Sequence, residues 1–148
     1  MIDVITDDEV RAALPWRTAV ETLRAGFTAG STVSVPRRHH HAMGDGDDVP
    51  TLLLMPAWAS SYVGIKIVTV FPANRGIDVP TINGNYLLMD GSTGVPLAII
   101  DGGELTARRT AAASVLAATM LARPDSSQLL VVGAGRLAAN LARAYAAC

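Results

Sequence analysis

The chain has 148 residues, of which 50% are hydrophobic and 17% are charged. This is enough apolar sequence for the packed core of one domain or slightly more, which excludes a disordered chain. The formal net charge is −1, so the charge balance gives no reason to expect nucleic acid or an anionic membrane surface as a partner.

The chain begins with signals for two helices. Thr6 and Glu9 match the capping box, in which a threonine N-cap is followed three residues later by a glutamate. We expect a short helix to about Leu14. Pro15 suits the first turn of a second helix, in which apolar residues recur at helical spacing until Gly30 ends it.

The pattern then changes to roughly five antiparallel strands. Polar turns at 44–48 and 91–94 predict two hairpins, and Pro72 to Pro80 predicts a loop. The expected strands cover 36–43, 50–56, 63–70, 82–90 and 95–101.

After Gly102-Gly103, the alanine and leucine content of 104–122 predicts a long helix. Residues 128–132 contain the apolar run Leu129 to Val132 and predict a buried strand, and a further helix follows the glycines after it. We therefore predict an α+β module of helices and antiparallel sheet over 1–123. Residues 124–148 would be the first strand, turn and helix of an α/β Rossmann domain.

The composition also bears on where the protein is found. Cys148 is the only cysteine, so no intramolecular disulfide is possible. The acidic N-terminus does not resemble a secretory signal, and arginines shorten or interrupt the apolar stretches at 110–122 and 129–147. We therefore expect a cytoplasmic protein with no membrane contact.

The clearest motif is Gly133-x-Gly135-x-x-Ala138, which follows the predicted strand and opens a helix. Gly133 permits the tight turn, Gly135 lets the backbone approach a pyrophosphate, and Ala138 lets the helix pack closely on the strand. With Arg136 and Leu137 at the helix start, these residues form our predicted NAD or NADP site. The acidic residue that holds the ribose is expected about 20 positions further on.

Several cationic residues could bind an anion. Arg108 and Arg109 lie near the start of the 104–122 helix, where an arginine suits a carboxylate, although pairing with Glu104 or exposure to solvent are the alternatives. Lys66 lies among β-branched residues, where it could reach solvent at the sheet edge or face an anion in a cavity. Each signal is weak when taken alone.

Residues 37–41 read Arg-Arg-His-His-His on a predicted strand. Strand alternation separates His40 from His39 and His41, and no cysteine or histidine-rich partner supplies further ligands. We therefore predict no metal site there and favour a solvated or pocket-facing basic strand.

A series of short motifs runs along the chain. They are Pro36-x-Arg38, Gly64-x-Lys66, Phe71-Pro72-Ala73-Asn74, Val79-Pro80-Thr81, Arg109-Thr110-Ala111-Ala112-x-Ser114, Leu121-Ala122-Arg123-Pro124 and the Gly133 turn. Together they resemble the ornithine cyclodeaminase/mu-crystallin family over essentially the whole chain and in the family's order. The strongest part of this resemblance is Arg109-Thr110-Ala111-Ala112 with the Gly133 turn soon after it.

The resemblance implies a fold and a set of roles. In the family, the N-terminal module binds substrate and forms a homodimer through its sheet, and a Rossmann domain follows. The positions that match Arg38, Lys66 and Arg109 hold the α-carboxylate of an amino or imino acid, and Thr81 matches a position that lines the same pocket. The family's catalytic aspartate lies in the Rossmann half, so no catalytic residue is assigned among these 148 residues.

Three functions remain open on this evidence. The first is part of an NAD(P)-dependent enzyme that cyclises by deamination, reduces a ketimine or forms an amino acid from a keto acid. The second is a non-enzymatic binding protein like mu-crystallin. The third is an inactive dimerisation module. We expect no turnover from these residues alone, because the family's catalytic aspartate would lie outside them.

Overall fold

The computed structural model describes residues 1–148, except for the side chain of Ser31. The chain forms two compact units, each built from two separate segments. The sheet unit consists of Met1–Asp7 and Ser31–Gly103, and the helical unit consists of Asp8–Gly30 and Glu104–Cys148.

The sheet unit contains a six-stranded sheet with the order β1-β6-β5-β4-β3-β2. Its neighbouring strands are antiparallel, except that β1 pairs with β6 in parallel. The strands are β1 (Asp3–Ile5), β2 (His39–Ala42), β3 (Thr51–Trp58), β4 (Tyr62–Val70), β5 (Ile82–Asp90) and β6 (Pro96–Asp101). The five predicted strands are therefore present, and β1 is an addition that the pattern did not indicate. A strand of three residues is too short to show an alternating pattern.

Alternation along the strands gives this sheet two different faces. Met55, Lys66, Tyr86 and Ile100 are directly opposite one another on successive strands and therefore share one face, which we call the lysine face. The opposite face is apolar over several strands. We call it the apolar face and define it by Val4, Trp58, Ile65, Ile67, Leu87 and Ile99.

The helical unit is built from α1 (Asp7–Ala13), α2 (Trp16–Ala29), α3 (Gly102–Leu121) and α4 (Arg136–Ala147). Pro15 is the N-cap of α2, and Gly30 ends that helix with a φ of 25°, where glycine is favoured. Helix α3 begins two residues before the predicted start at 104. None of the helices in the described chain combines the length and the apolar character needed to cross a bilayer.

Small side chains form the centre of the helical unit. Ala111 and Ala112 of α3 and Ala144 of α4 are all fully buried, and they pack with Val20 of α2 in one apolar cluster. A methyl side chain lets two helix backbones approach closely, so replacing it with a larger group requires the helices to move apart. The alanines after Arg109 therefore serve helix packing within this unit.

One predicted element is absent. Residues 128–132 form no strand in the described chain, and Leu130 and Val132 are 87% and 91% exposed. A strand depends on hydrogen bonds to a neighbouring strand, and none of the described strands pairs with this segment. Helix α4 nevertheless forms after it. The predicted boundary between 123 and 124 stays a prediction.

The packing of α4 can be tested with two alanines of the same helix. Ala144→Leu should lower the free energy of unfolding by about 1–3 kcal/mol, because the buried site has no room for the added carbons. Ala142 is exposed, and Ala142→Leu should change the stability by less than about 0.5 kcal/mol. Urea unfolding of the two variants measures the difference. Equal effects would show that α4 is not packed against the other helices.

Candidate functional site

The glycine turn before α4 has the geometry of an anion site. Gly133 has a φ of 111°, a conformation that side chains disfavour, and Gly135 is the N-cap of α4 with extended backbone. No heavy atom lies within 4 Å of a Cβ built on either glycine, and no side chain caps the helix. The N–H groups of Arg136 and Leu137 have no partner within the helix, because no helical turn precedes them to supply a carbonyl oxygen.

These observations test whether the residues present fit a dinucleotide. Unpaired N–H groups at a helix N-terminus attract a phosphate, and the open space beside the two glycines admits one. Ala138 donates its N–H to the Gly135 carbonyl oxygen at 3.0 Å and adds no bulk to the turn. The turn therefore fits the phosphate portion of NAD or NADP.

A buried carboxylate lies at the start of α3. The Glu104 side chain is 4% exposed. Its Oε1 accepts a hydrogen bond from Arg108 Nε at 3.0 Å, and its Oε2 accepts from Arg136 Nη2 at 2.8 Å and from Arg11 Nη1 at 3.2 Å. Burial by itself raises the pKa of Glu104, but the hydrogen bonds from Arg136 and Arg108 and the charge of Arg11 outweigh it, so the pKa is lowered.

The adjacent arginines of α3 have different environments. Arg108 is buried, donates from Nη1 to the Leu14 carbonyl oxygen at 2.6 Å, and places its guanidinium 4.4 Å from the Trp16 ring centroid. Arg109 is exposed, and no other described residue forms a hydrogen bond or ion pair with it. The pairing with Glu104 that the sequence left open therefore belongs to Arg108, and Arg109 remains available to a ligand.

The lysine face of the sheet carries a tyrosine that the sequence analysis did not single out. Tyr86 is directly opposite Lys66, and its hydroxyl lies over Gly64, where a Cβ would overlap it. Burial raises the pKa of Tyr86 above its usual value, so the hydroxyl keeps its proton. Lys66 is half-buried. A phenol and an ammonium group therefore occupy neighbouring positions on one face.

Arg38 lies near this row and Thr81 lies further away. Arg38 immediately precedes β2 and is exposed, and with Met55 it lines an open groove of about 500 Å³. Met55 is also directly opposite Lys66. Arg38 and Lys66, the two predicted carboxylate ligands of the sheet unit, therefore both lie next to Met55. Thr81 lies just before β5, five residues from Tyr86, which is about 16 Å along an extended strand. Arg109 belongs to the helical unit, and its place in the same pocket stays a prediction.

The histidines of β2 do not form a metal centre with other described residues. The rings of His39 and His41 stack with centroids 6.3 Å apart, as expected for alternate residues on one face. Among the side chains that the structure describes, no group of three or more His, Cys, Asp or Glu could hold a metal ion.

Tyr86 was missed by the sequence analysis, whereas Gly64 and Glu104 were named there, and each of these two carries a local signal of its contact. Gly64 interrupts a run of larger strand residues, which is typical of a position where another group approaches the backbone. Glu104 is four residues before Arg108, the spacing at which side chains meet on a helix. Neither signal reveals that Arg11 and Arg136, which are distant in sequence, reach the same carboxylate.

The family model described as the ornithine cyclodeaminase/mu-crystallin family matches residues 3–148. The chain belongs to this family. One relative is the delta(1)-pyrroline-2-carboxylate reductase of Paracoccus denitrificans, which is 42% identical over 135 residues, or 90% of this chain and 41% of the relative. The chain thus spans less than half the length of that relative.

Solved structures agree with this family and with its fold. The Thermococcus litoralis delta(1)-pyrroline-2-carboxylate reductase, in complex with NADH and L-proline, matches 98% of this chain and 46% of its own with a TM-score of 0.85 and 28% identity. An archaeal alanine dehydrogenase dimer with bound NAD has the same TM-score and identity, covering 99% and 46% of the two chains. The predicted fold class, an α+β module followed by the start of a Rossmann domain, is confirmed, except that residues 128–132 form no strand in the described chain.

The Glu104 cluster makes stability depend on pH. The pKa of Glu104 lies below its ordinary value of 4.5, so its ionised form stabilises the fold above that pH, and the stabilisation is lost as the pH falls through the lowered pKa. Glu104→Gln should lower the free energy of unfolding by about 3 kcal/mol at pH 7, because Arg108 loses a buried partner.

Urea unfolding of both proteins between pH 7 and pH 3 checks this expectation. The difference between them should shrink in acid, because the wild-type protein loses a contribution that the variant never had. A difference that stays constant down to pH 3 would contradict the lowered pKa.

Proposed function

We propose that this chain forms the substrate-binding part and the first cofactor-binding segment of an NAD(P)-dependent enzyme acting on the Cα–N bond of a small amino or imino acid. The observation that carries this proposal is the exposed, unpaired Arg109 beside the fully engaged Arg108. An arginine near a helix start that has no protein partner is suited to a carboxylate ligand. Two similar proteins named above bind NAD or NADH.

Among the family's reactions, reduction of a ketimine is the one we favour. Two of the similar proteins are delta(1)-pyrroline-2-carboxylate reductases, one of them bound to L-proline. In this reaction a hydride joins the imine carbon and a proton joins the nitrogen, which gives the amino acid. The nicotinamide, when bound, supplies the hydride. Deaminating cyclisation and amino-acid dehydrogenation are alternatives that use the same carboxylate contact.

The role of this chain's residues would be to bind and orient. In the proposal, Arg38, Lys66 and Arg109 fix the substrate carboxylate, so that the imine carbon is held in one position for the hydride. Thr81 contributes to the wall of the same pocket. Gly133, Gly135, Ala138 and the first residues of α4 receive the cofactor phosphates.

We also propose that two copies of the chain associate through the apolar face. Val4 and Trp58 of this face are 67% and 45% exposed, and Ile67 and Ile99 are each 36% exposed. A continuous apolar surface on a sheet indicates an interaction site. The similar archaeal alanine dehydrogenase is a dimer. The cytoplasmic location expected from the composition stays a prediction.

Experiment distinguishes an enzyme from the two other functions that the sequence allows. A mu-crystallin-like protein would bind NAD(P)H and a small carboxylate without turning them over, and an inactive dimerisation module would bind neither. Oxidation of NADH in the presence of pyrroline-2-carboxylate by the full-length gene product distinguishes the enzyme. Cofactor binding without turnover would favour the binding protein.

The adjacent arginines allow a matched test of the carboxylate contact in the full-length gene product. Arg109→Ala should raise the KM for the imino acid by about ten- to a hundred-fold, because a charge-assisted hydrogen bond is lost. The thermal stability should hardly change, since Arg109 is exposed. Steady-state kinetics and thermal unfolding measure the two effects.

Arg108→Ala is the control for this experiment. It should lower the free energy of unfolding by about 3 kcal/mol, because it removes the buried pair with Glu104 and the contact with Trp16. If Arg109→Ala leaves both KM and turnover unchanged, Arg109 is a solvent-facing charge without a role in substrate binding.

The proposed dimer can be tested with a pair of isoleucine variants, one on the apolar face and one away from it. Ile67→Lys places a charge on the apolar face and should shift the chain from dimer to monomer in sedimentation velocity. Ile77 is 60% exposed in the loop before β5, so Ile77→Lys should leave the association state unchanged. A wild-type chain that sediments as a monomer at all concentrations would rule out the apolar face as the interface.

A further inference from the structure

The Glu104 carboxylate connects three helices of the helical unit. It belongs to α3, and it accepts hydrogen bonds from Arg11 of α1 and Arg136 of α4 as well as from Arg108 of its own helix. Asp8 adds one more negative charge through its ion pair with Arg11. Three guanidinium groups therefore converge on a buried carboxylate.

The three arginines contact Glu104 in different ways. Arg108 occupies Oε1, and Arg11 reaches Oε2 at 3.2 Å. Arg136 makes the shorter bond to Oε2, at 2.8 Å, although its side chain is 58% exposed and loses conformational freedom when it is held there. Besides compensating the Glu104 charge, this pair therefore fixes the orientation of a largely exposed side chain.

Arg136 differs from the other two arginines in its position along the chain. It is the first residue of α4 and directly follows Gly135, the N-cap at the turn that fits a phosphate. Its guanidinium has five N–H donors in a planar fork, and in the described chain it donates to Glu104 from Nη2 only. The remaining guanidinium N–H groups form no hydrogen bond with another described residue and can therefore donate to an anion.

We propose that Glu104 is a positioning residue for the cofactor, which holds the Arg136 guanidinium beside the phosphate-binding turn before NAD(P) arrives. This inference rests on the proposed function. A phosphate then meets an arginine with a fixed orientation together with the N–H groups of α4, and little side-chain freedom is lost on binding. Glu104 itself touches neither cofactor nor substrate.

The test measures the affinity of the full-length gene product for NADH and for NADPH by isothermal titration calorimetry. Arg136→Gln should weaken binding of the preferred cofactor about tenfold, the loss of roughly one charge-assisted hydrogen bond. Arg11→Gln removes the other guanidinium from the same oxygen and should leave the affinity within about twofold. Thermal unfolding of the unliganded proteins records what each variant does to stability alone.

A double variant links Glu104 to this effect. Glu104→Gln should weaken cofactor binding by no more than Arg136→Gln does, because the guanidinium is still present but no longer held in place. Adding Glu104→Gln to Arg136→Gln should weaken binding no further, because Glu104 acts on the cofactor only through Arg136. The KM for the imino acid should change much less than that for the cofactor. If Glu104→Gln does not fold, the contrast between Arg136→Gln and Arg11→Gln decides.

Three results would overturn the inference. Equal affinities of wild type and Arg136→Gln would limit the cluster to a structural role. Tighter binding by Glu104→Gln would show that the carboxylate merely masks the charge of Arg136. Absence of cofactor binding by the wild-type protein would overturn the proposed function together with the inference, whereas the first two results leave the proposed function intact.

Discussion

The arrangement of the helical unit depends on one charged group that is held away from water. A carboxylate as deeply buried as that of Glu104 is tolerated only with partners, and here the partners come from both ends of the chain as well as from its own helix. Arg108 continues the cluster to Trp16 and to the Leu14 carbonyl oxygen. The polar cluster thereby fixes how α1, α3 and α4 meet.

Small residues complete this arrangement beside the charged cluster. Fully buried alanines on α3 and α4 pack in one apolar cluster, and the Tyr145 hydroxyl of α4 lies 3.1 Å from Ser114 Oγ of α3. These contacts explain why α4 forms although the segment before it makes no strand. The glycine turn is thus presented by a helix that is held by packing and by an ion pair.

Adjacent residues serve different purposes in two places of the fold, and the sequence alone did not distinguish their roles. Arg108 and Arg109 are neighbours with the same chemistry, and helical geometry turns one inward and leaves the other outward. On the sheet, strand alternation directs Lys66 to one face and Ile67 to the other, so that polar and apolar surfaces arise from adjacent residues. The family resemblance selected Arg109 and Lys66 as substrate-binding residues, and that role stays a prediction.

Local pattern alone was sufficient for the helices, the five antiparallel strands and the glycine turn, because capping residues, alternation and glycine act over a few neighbouring positions. It failed for β1, which exists only by pairing with β6, and for 128–132, where an apolar run has no strand to pair with. The sequence also contained no sign that Arg11, Glu104 and Arg136 would meet. Such contacts join residues that are far apart in the chain, and only the tertiary fold brings them within hydrogen-bonding distance.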